Sequence, residues 1–387
     1  MAPIASASNV SKTVKRPSRK ARYPDQVPAD LTLKEEGTSG VLISAITSGT
    51  SVSTNGTDWR LDRGRTNTAL VGEFFKGGGV GPKCLVLQGD AYDLIGVLPD
   101  KSVDLFITSP PYWGLRTYGL RHNWDIDKEW KALGRTMQDC PPYDWYRQHG
   151  GLLGLQSTPE WYVHHLAEIL NKLWRPLKQT GSLWLNIGDT YFARWSSIRP
   201  EGRQGLGSQE RFRRKTPMGG FRQEKNLLLI PARVAIALQE SRWILRNDLI
   251  WFKPNVPPRP DNDRLRLAHE HFFHFVKRPS EGRAKYYYDK SVTEPGDVDV
   301  VTYNVRAGEN GHSATFPTEL IRPRILSSSP PGGVVVDPFC GTGRALVEAV
   351  SMGRRAVGFD LCQEFVAAST LATRNAQLDF SYAKLHQ

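Results

Sequence analysis

The segment Val334-Val-Val-Asp-Pro-Phe-Cys-Gly-Thr-Gly343 joins a short β-branched run to a turn rich in glycine. The three valines predict a buried strand that ends at Asp337. The glycines let a ligand approach the backbone of the turn, and a helix that begins near Thr342 would point its free N–H groups toward that ligand. A strand, a glycine-rich turn and a helix in this order are typical of a binding site in an α/β fold.

A second acid supports this interpretation. The run Arg355-Ala-Val-Gly-Phe-Asp360 predicts another strand, and its terminal acid follows the glycine-rich turn by about 20 residues. At that spacing, α/β folds use a carboxylate to bind the two hydroxyls of a ribose. The two features together predict an adenosine-containing cofactor. The sequence G-x-x-x-x-G-K followed by Ser or Thr does not occur, so a P-loop phosphate site is not expected.

Outward from this segment, short apolar runs alternate with longer segments of helical period. Such alternation is typical of an α/β protein with a mostly parallel, doubly wound sheet. The seven predicted strands are Cys84–Gln88, Val103–Thr108, Ser182–Ile187, Asn247–Phe252, His271–Val276, Val334–Asp337 and Ala356–Asp360. The predicted helices are Pro159–Leu177, Pro231–Ser241, Pro317–Ser327, Gly341–Met352 and a C-terminal helix from Gln363.

Composition changes after residue 82. Residues 1–82 are rich in Ser, Thr, Gly and charge and poor in periodic apolar positions, which predicts a basic, largely flexible arm and linker. Residues 83–387 carry the alternating pattern and form the predicted folded domain. Stretches rich in Pro, Gly and charge interrupt this domain at 114–158, 193–226 and 254–266, and we interpret them as insertions on a regular scaffold. The candidate target-recognition elements are 114–158, 193–226 and 254–311, the last of which includes the predicted strand His271–Val276.

The overall charge narrows the class of partner. The 387 residues include 51 Lys and Arg against 39 Asp and Glu, which gives a formal net charge of +12. Such an excess predicts a polyanionic partner, above all nucleic acid. The composition excludes fibrous, collagen-like and wholly disordered classes. No apolar run approaches the ~18 residues of a membrane span, and four widely spaced cysteines indicate reduced thiols in an intracellular protein.

The segment with the most specific chemistry is Thr108-Ser-Pro-Pro-Tyr-Trp113, directly after the predicted strand Val103–Thr108. Its two prolines hold the backbone extended and remove two donors, so the carbonyls of Ser109 and Pro110 can act as outward-facing acceptors. Tyr112 follows as a flat stacking surface. This pattern suits a ring with an exocyclic amino group, such as a cytosine or adenine taken out of its duplex. A rigid turn that only ends a strand is the alternative.

Thr108–Trp113 resembles the catalytic motif of the amino-methylating DNA methyltransferases, and Asp337–Gly343 resembles their S-adenosylmethionine loop. The catalytic motif comes first and the cofactor loop last, which is the circularly permuted β arrangement of that family. The resemblance covers residues 83–387. It implies the S-adenosylmethionine-dependent methyltransferase fold, S-adenosyl-L-methionine as the cofactor and double-stranded DNA as the substrate.

Roles for individual residues come from this resemblance. It implies four catalytic residues, Ser109, Pro110, Pro111 and Tyr112, and three further residues of the target-base pocket, Trp113, Asn186 and Asp189. It implies that the cofactor is bound by Asp90, Thr108, Phe316, Pro317, Thr318, Asp337, Pro338, Phe339, Gly341, Gly343 and Asp360. Arg344 departs from the family pattern, because many members have Thr or Ser there, and this departure affects only a local contact.

The implied reaction moves a methyl group to the exocyclic amine of a flipped base. Hydrogen bonds from the amine to the Ser109 hydroxyl and the Pro110 carbonyl would direct its lone pair toward the methyl group. In the resembled family, Ser at the first motif position is commoner for cytosine N4, and Asp or Asn for adenine N6. We therefore expect methylation of cytosine N4, with adenine N6 as the alternative.

Other interpretations have less support. Methylation of a ring carbon would need a cysteine after a proline, whereas Cys140 precedes Pro141 in an irregular insertion. Enzymes that methylate RNA or protein glutamine generally place the cofactor loop before the catalytic motif. A catalytically silent DNA-binding relative would have lost residues of these motifs. In His269-Glu-His-Phe-Phe-His274, strand alternation divides the histidines between two faces, so no metal site is expected.

Sequence recognition is expected in the insertions, because the catalytic core contacts a single base. The insertion 193–226 has nine basic and three acidic residues with aromatic residues between them, and arginine can bind guanine edges or phosphates. A solvated basic loop is the alternative. The candidate DNA-binding residues are Arg194, Arg199, Arg203, Arg211, Arg213, Arg214 and Lys215. The resemblance also implies a cytoplasmic, nucleoid-associated enzyme and a cognate restriction endonuclease that shares its site without direct contact.

Overall fold

The structure is a computed structural model that describes residues 59–76, 83–114, 116–198, 212–256, 258, 262–293, 298–305 and 317–385. Within these ranges, only the backbone is described at 59–66, 195–198, 212–213 and 378–385. The predicted arm up to residue 58 lies outside the described residues. Three predicted DNA-binding residues, Arg199, Arg203 and Arg211, and one predicted cofactor residue, Phe316, also lie outside them.

In the described part of the chain, the strands form an eight-stranded sheet and a separate two-stranded hairpin. The sheet strands are β1 (Cys84–Gln88), β2 (Val103–Thr108), β3 (Leu177–Ile187), β6 (Trp243–Phe252), β7 (His269–Lys277), β8 (Val300–Thr302), β9 (Val334–Asp337) and β10 (Arg355–Asp360). The hairpin strands are β4 (Trp195–Ile198) and β5 (Phe212–Lys215). The order across the sheet is β1-β10-β9-β2-β3-β7-β6-β8.

The sheet is mostly parallel, as predicted, because its antiparallel pairs both involve β7. All seven predicted strands are present, and β2 and β9 have the predicted bounds. The number seven is nevertheless wrong, because β8 pairs in parallel with β6 at the edge. With only three residues and an exposed Val300 and Thr302, β8 is too short to be recognised in the sequence.

Helices cover both faces of the sheet. They are α1 (Trp59–Lys76), α2 (Ala91–Val97), α3 (Ile126–Ala132), α4 (Tyr143–Gln148), α5 (Pro159–Lys172), α6 (Ile230–Glu240), α7 (Thr318–Ser328), α8 (Arg344–Ser351) and α9 (Gln363–Leu385), with a short 3-10 helix at Lys290–Val292. The first six pack on one core cluster and the last three on the other, so the doubly wound arrangement is confirmed. Among the described helices, none is both long and apolar enough to span a membrane.

The helix predicted over Pro159–Leu177 begins as expected but ends early. Thr158 caps it by accepting a hydrogen bond from the Trp161 N–H, and Pro159 occupies its first turn, where no N–H is needed. It ends at Lys172, and Leu177 already pairs with Val103 as the first residue of β3. The sequence masks this boundary because the apolar positions continue from the helix into the strand.

The predicted linker contains a helix that packs on the domain. Val71 and Phe74 in α1 are each 1% exposed and belong to the same core cluster as α2 and α5. Arg355 of β10 lies over the Phe74 ring, with its guanidinium carbon 4.5 Å from the centroid. The prediction of a flexible linker up to residue 82 is therefore wrong for this helix, whose amphipathic pattern is too weak to stand out in the sequence.

The insertion 114–158 also differs from its predicted form. It contains α3 and α4, and the side chains of Ile126, Trp130, Tyr143 and Tyr146 are buried in the core cluster of α5. Both helices are short, and Pro, Gly and charged residues surround them, which explains why the sequence resembles an irregular loop. This segment is part of the folded domain, and the aromatic side chains of α3 and α4 pack against its core.

Candidate functional site

The carboxyl ends of the parallel strands bring the predicted cofactor residues to one edge of the sheet. Asp90 follows β1, Asp360 ends β10, Asp337 ends β9 and Thr108 ends β2. These four strands are consecutive neighbours. Ligands of open α/β sheets bind at this edge, beside the point where the strand order reverses. Since β7 is antiparallel to β3, its amino end lies at the same edge.

Asp337 is held across the junction between β9 and β2. Its Oδ1 accepts a hydrogen bond from the Thr108 hydroxyl at 2.6 Å and another from the Phe339 N–H at 3.1 Å. Burial raises the pKa of Asp337 to about 7 despite these bonds, and the nearby charge of Asp360 adds to the rise. A cationic ligand at this edge would favour the ionised carboxylate.

The glycine-rich turn is fixed to the end of β10. Asp360 accepts hydrogen bonds from the Gly341 N–H at 2.9 Å and the Cys362 N–H at 2.8 Å, while burial raises its pKa to about 6. Gly343, the cap of α8, has a φ of +81°, and a Cβ there would lie 2.1 Å from the Ser369 Oγ of α9. Only glycine fits this close approach.

Asp90 connects the end of β1 to the insertion 114–158. Its Oδ1 accepts a hydrogen bond from the Tyr92 N–H at 2.8 Å, which caps α2, and its Oδ2 accepts one from the Tyr143 hydroxyl at 3.1 Å. Burial raises the pKa of Asp90. Tyr143 belongs to α4 and was missed by the sequence analysis. The insertion thus supports the cofactor edge.

The start of α7 approaches the glycine-rich turn. Pro317 has extended backbone with a ψ of 150°, and Thr318 is the first residue of the helix. Arg344 donates a hydrogen bond to the Thr318 hydroxyl at 3.5 Å, so the departure at this position makes a local contact between α8 and α7. Beside them, Pro338 is buried and Phe339 packs partly against the core.

The catalytic motif is held in place by α5 and by the loop that precedes it. The Gly114 N–H donates to the Gly154 carbonyl at 2.7 Å, and the Tyr162 hydroxyl donates to the Pro111 carbonyl at 2.9 Å. Neither of these bonds uses the Ser109 hydroxyl. The motif is therefore fixed through its backbone, which leaves the side chain of Ser109 for other partners.

Tyr112 is oriented by a carboxylate that the sequence analysis missed. Its hydroxyl donates to Glu270 Oε2 at 2.8 Å, and it lies 3.4 Å from both the Ser109 Oγ and the Asn186 Oδ1. Lys253, at the end of β6, forms an ion pair with the other oxygen of Glu270. The sequence offered a partial signal, because Lys253 directly follows one predicted strand and Glu270 directly precedes the next. It did not show that these two strands pair.

Two predicted pocket residues have structural roles. Trp113 is 6% exposed, donates its indole N–H to the Gln156 carbonyl at 2.9 Å, and is covered by the guanidinium of Arg214. Its ring packs in the core, and its role as a wall of the target-base pocket stays a prediction. Asp189 accepts hydrogen bonds from the N–H of its neighbour Thr190 and from the N–H of Ile230, the first residue of α6, and its pocket role stays a prediction.

The basic hairpin divides its charges between solvent and core. Arg194 and Lys215 are exposed, whereas Arg214 is 7% exposed and donates to the Gln156 carbonyl at 2.9 Å. Its Nε and Nη2 atoms have no acceptor among the described residues, and burial lowers its pKa to about 10. The prediction that Arg214 contacts DNA is therefore wrong. At Arg213, only the backbone pairing with Ser197 is described.

The structure also describes the cysteine considered as a nucleophile and the histidines considered as metal ligands. Burial raises the pKa of the Cys140 thiol, which disfavours a thiolate nucleophile. His269 and His271 share a face with ring centroids 5.4 Å apart, while His274 stacks on Trp184 inside the protein, so the predicted alternation is confirmed. Among the described residues, no group of three or more His, Cys, Asp or Glu side chains is arranged to bind a metal ion.

Comparison with known proteins identifies the class. The family model N6_N4_Mtase, described as DNA methylase, matches residues 103–371. This segment is more than two thirds of the chain and contains both the catalytic motif and the cofactor loop. The protein belongs to this family of DNA methyltransferases. It is an enzyme that uses S-adenosyl-L-methionine, and its substrate is DNA.

Individual relatives agree with this assignment. The chain is 37% identical over 289 residues to type II methyltransferase M.Cfr9I of Citrobacter freundii, covering 73% of this chain and 84% of that protein. It is 35% identical over 303 residues to type II methyltransferase M.XycI of Xanthomonas campestris pv. cyanopsidis, covering 76% and 89%. The structure of PvuII DNA methyltransferase (cytosine-N4-specific) covers 78% of this chain and 95% of its own, with a TM-score of 0.50 and 18% identity, which shows the shared fold.

The cofactor edge suits S-adenosyl-L-methionine on its own chemistry. Burial raises the pKa of Asp90, Asp337 and Asp360, and the three lie at the ends of β1, β9 and β10. The cofactor carries a sulfonium, an ammonium and two ribose hydroxyls. Positive charge would compensate these three carboxylates, and the hydroxyls would donate to them.

Asp337→Asn should stabilise the cofactor-free protein above pH 7. With a folded pKa raised to about 7, the folded protein binds more protons than the unfolded chain from about pH 4 upward, so stability falls as pH rises through this window. The neutral amide of Asn removes this loss of folding stability, which is about 2–4 kcal/mol. Denaturant unfolding from pH 4 to 8 measures the difference, which should vanish near pH 4. Asp299→Asn, at an exposed position, is the matched control, and an equal pH trend in both variants would contradict the account.

Proposed function

We propose that this enzyme transfers the methyl group of S-adenosyl-L-methionine to the N4 amine of a cytosine taken out of duplex DNA. The observation that carries this proposal is the position of Ser109. It follows Thr108 at the end of β2, and Thr108 bonds directly to Asp337 of the cofactor edge. The Ser109 hydroxyl, which would accept a hydrogen bond from the target amine, is therefore one residue away from the contact between the catalytic motif and the cofactor edge.

The chain positions a weak nucleophile. Bound S-adenosyl-L-methionine supplies a methyl group on a positively charged sulfur. The Ser109 hydroxyl and the Pro110 carbonyl accept the two hydrogens of the amine, which directs its lone pair outward and stabilises the positive charge that develops on nitrogen. Tyr112 stacks on the base. Asn186, whose amide donates to the His271 carbonyl at 3.1 Å, lies beside the Tyr112 hydroxyl and completes this wall.

The preference for cytosine rests on Ser109 as the hydrogen-bond acceptor for the target amine. A carboxylate accepts hydrogen bonds more strongly than a hydroxyl does. In the family that the sequence resembles, Asp or Asn is commoner at this position for adenine N6 and Ser for cytosine N4. Adenine N6 is the competing substrate, and the products of the two reactions are chemically distinct.

We also propose that the hairpin of β4 and β5 contacts the DNA backbone. Arg194 precedes the hairpin and Lys215 ends it, and both side chains are exposed. Arg213 and the three undescribed arginines of the insertion 193–226 belong to the same proposal. The segments of 254–311 on either side of β7 are the second proposed recognition element.

The setting that suits these relatives is a restriction–modification system. Two of them are named type II methyltransferases. We propose a cognate restriction endonuclease that recognises the same DNA sequence without contacting this enzyme. In this setting the methyltransferase works in the cytoplasm, at the nucleoid.

DNA from a host that expresses the enzyme should contain N4-methylcytosine. Ser109→Ala should lower its amount at least ~100-fold, because the amine loses an acceptor in the transition state. Mass spectrometry of digested nucleosides measures the product, and calorimetry should show unchanged cofactor binding by the variant. N6-methyladenine as the product would contradict the choice of base, and a variant that methylates at the wild-type rate would contradict the role of Ser109.

Removing the exposed charges of the hairpin should weaken DNA binding in a salt-dependent way. For the Arg194→Ala, Lys215→Ala double variant, we expect about 10-fold lower affinity, and a slope of log K against log salt reduced by roughly 2, as for two lost phosphate contacts. Fluorescence anisotropy with labelled duplex DNA at several salt concentrations measures both. The control is Arg242→Ala, Lys285→Ala, which changes two exposed cations near the amino ends of the strands. Equal effects of the two pairs would exclude the hairpin as the contact.

A further inference from the structure

The hydroxyl of Ser109 belongs to a continuous series of hydrogen bonds that reaches two other strands. Ser109 Oγ lies 3.4 Å from the Tyr112 hydroxyl, which lies 2.8 Å from Glu270 Oε2. The second oxygen of Glu270 is paired with Lys253. The series therefore begins at the catalytic motif after β2 and ends on β7 and the residue after β6.

The chemistry at its far end decides the direction of every bond. A carboxylate can only accept and an ammonium can only donate. The Tyr112 hydroxyl must therefore donate its single hydrogen to Glu270, and its oxygen remains an acceptor. Asn186 Oδ1, at 3.4 Å, competes poorly for this hydrogen because Glu270 is closer and charged. The hydrogen of Ser109 then points to Tyr112.

Burial makes this direction strict. The side chains of Lys253 and Glu270 are 12% and 13% exposed, so little water is available to replace either partner. Burial and the charge of Glu270 raise the pKa of Tyr112 well above its usual range, which keeps its hydroxyl protonated. Gly188 permits the contact, because a Cβ there would lie 2.9 Å from the Tyr112 ring and 3.2 Å from Glu270.

The direction matters because a serine hydroxyl can present either a hydrogen or a lone pair. The target amine arrives as a donor and needs an acceptor. With its own hydrogen committed to Tyr112, Ser109 presents lone pairs to the amine at no further cost of reorientation. A carboxylate at this position would need no such arrangement, since it has no hydrogen to turn away.

We propose that Glu270, held by Lys253, is a positioning residue for methyl transfer: through the Tyr112 hydroxyl it turns the Ser109 hydroxyl so that its lone pairs face the amine of the target base. This inference rests on the proposed function of Ser109 and Tyr112. It gives the amino end of β7 a role in positioning the catalytic motif. This role is possible because β7 is antiparallel to β3, so its amino end lies at the same edge of the sheet as Ser109.

Glu270→Gln tests the proposal with little change in shape. Its amide can donate to the Tyr112 oxygen and so reverse the whole series, which turns the Ser109 hydrogen toward the amine. We expect the single-turnover rate constant to fall about 100-fold, with unchanged affinity for S-adenosyl-L-methionine and an unchanged KM for DNA. Radiolabelled cofactor and unmethylated genomic DNA measure the rate. Glu270→Asp, which keeps the charge, should recover part of it.

The control variant is Asp248→Asn. Asp248 lies on β6 and pairs with His271 of β7 at 2.9 Å, so this change removes the same charge from the same pair of strands without touching Tyr112. Its rate should equal that of the wild type. An equal loss in Asp248→Asn and Glu270→Gln would show a general charge effect and overturn the proposal.

A double variant separates this series from an independent effect of Glu270. Tyr112→Phe keeps the stacking ring and removes the connecting hydroxyl, so adding Glu270→Gln to it should cause no further loss of rate. Multiplied losses would contradict the proposal, as would a fully active Glu270→Gln. A wild-type enzyme without methyl transfer would instead refute the proposed function itself. Thermal unfolding and cofactor binding of each variant establish that it is folded.

Discussion

The hydrogen bond between Thr108 and Asp337, 2.6 Å long, connects the catalytic motif after β2 to the cofactor edge at the end of β9. The two residues are 229 positions apart in the chain and become neighbours because β2 pairs in parallel with β9, Phe106 opposite Val336. Thr108 immediately precedes Ser109. A single contact thus sets the spacing between the residues proposed to bind the cofactor and the residues proposed to bind the base. The transfer of a methyl group depends on that spacing more than on any reactive side chain.

The same edge carries an electrostatic cost. Asp337 is buried and Asp90 and Asp360 are half-buried, and in each of them the loss of hydration is the main cause of a raised pKa. Backbone N–H groups and the hydroxyls of Thr108 and Tyr143 offset only part of this cost. The site is therefore complementary to a ligand with positive charge. Charge is arranged differently beside the catalytic motif. There Lys253 neutralises Glu270, which still accepts the hydrogen bond that orients the Tyr112 hydroxyl.

Local features of this fold could be predicted from the sequence, and long-range contacts could not. The strands β2 and β9 have the predicted bounds because buried parallel strands form continuous apolar runs between turn residues. Arg214 was assigned to DNA because its neighbours are basic, yet it packs on Trp113, which lies far away in the sequence. Glu270 was missed because its contact with Tyr112 depends on the register of β7 against β3. The helix α1 was missed because, among its described side chains, only Val71 and Phe74 are buried.

The central claim is that the cationic cofactor binds against the carboxylates of Asp337 and Asp360 at the ends of β9 and β10. Isothermal titration calorimetry with S-adenosyl-L-methionine, in buffers of different ionisation enthalpy, measures the protons exchanged on binding. At pH 6, where raised pKa values of about 7 for Asp337 and about 6 for Asp360 keep them partly protonated, the account predicts release of on the order of one proton per cofactor. At pH 8 it predicts almost none. Equal proton exchange at both pH values, or proton uptake at pH 6, would contradict it.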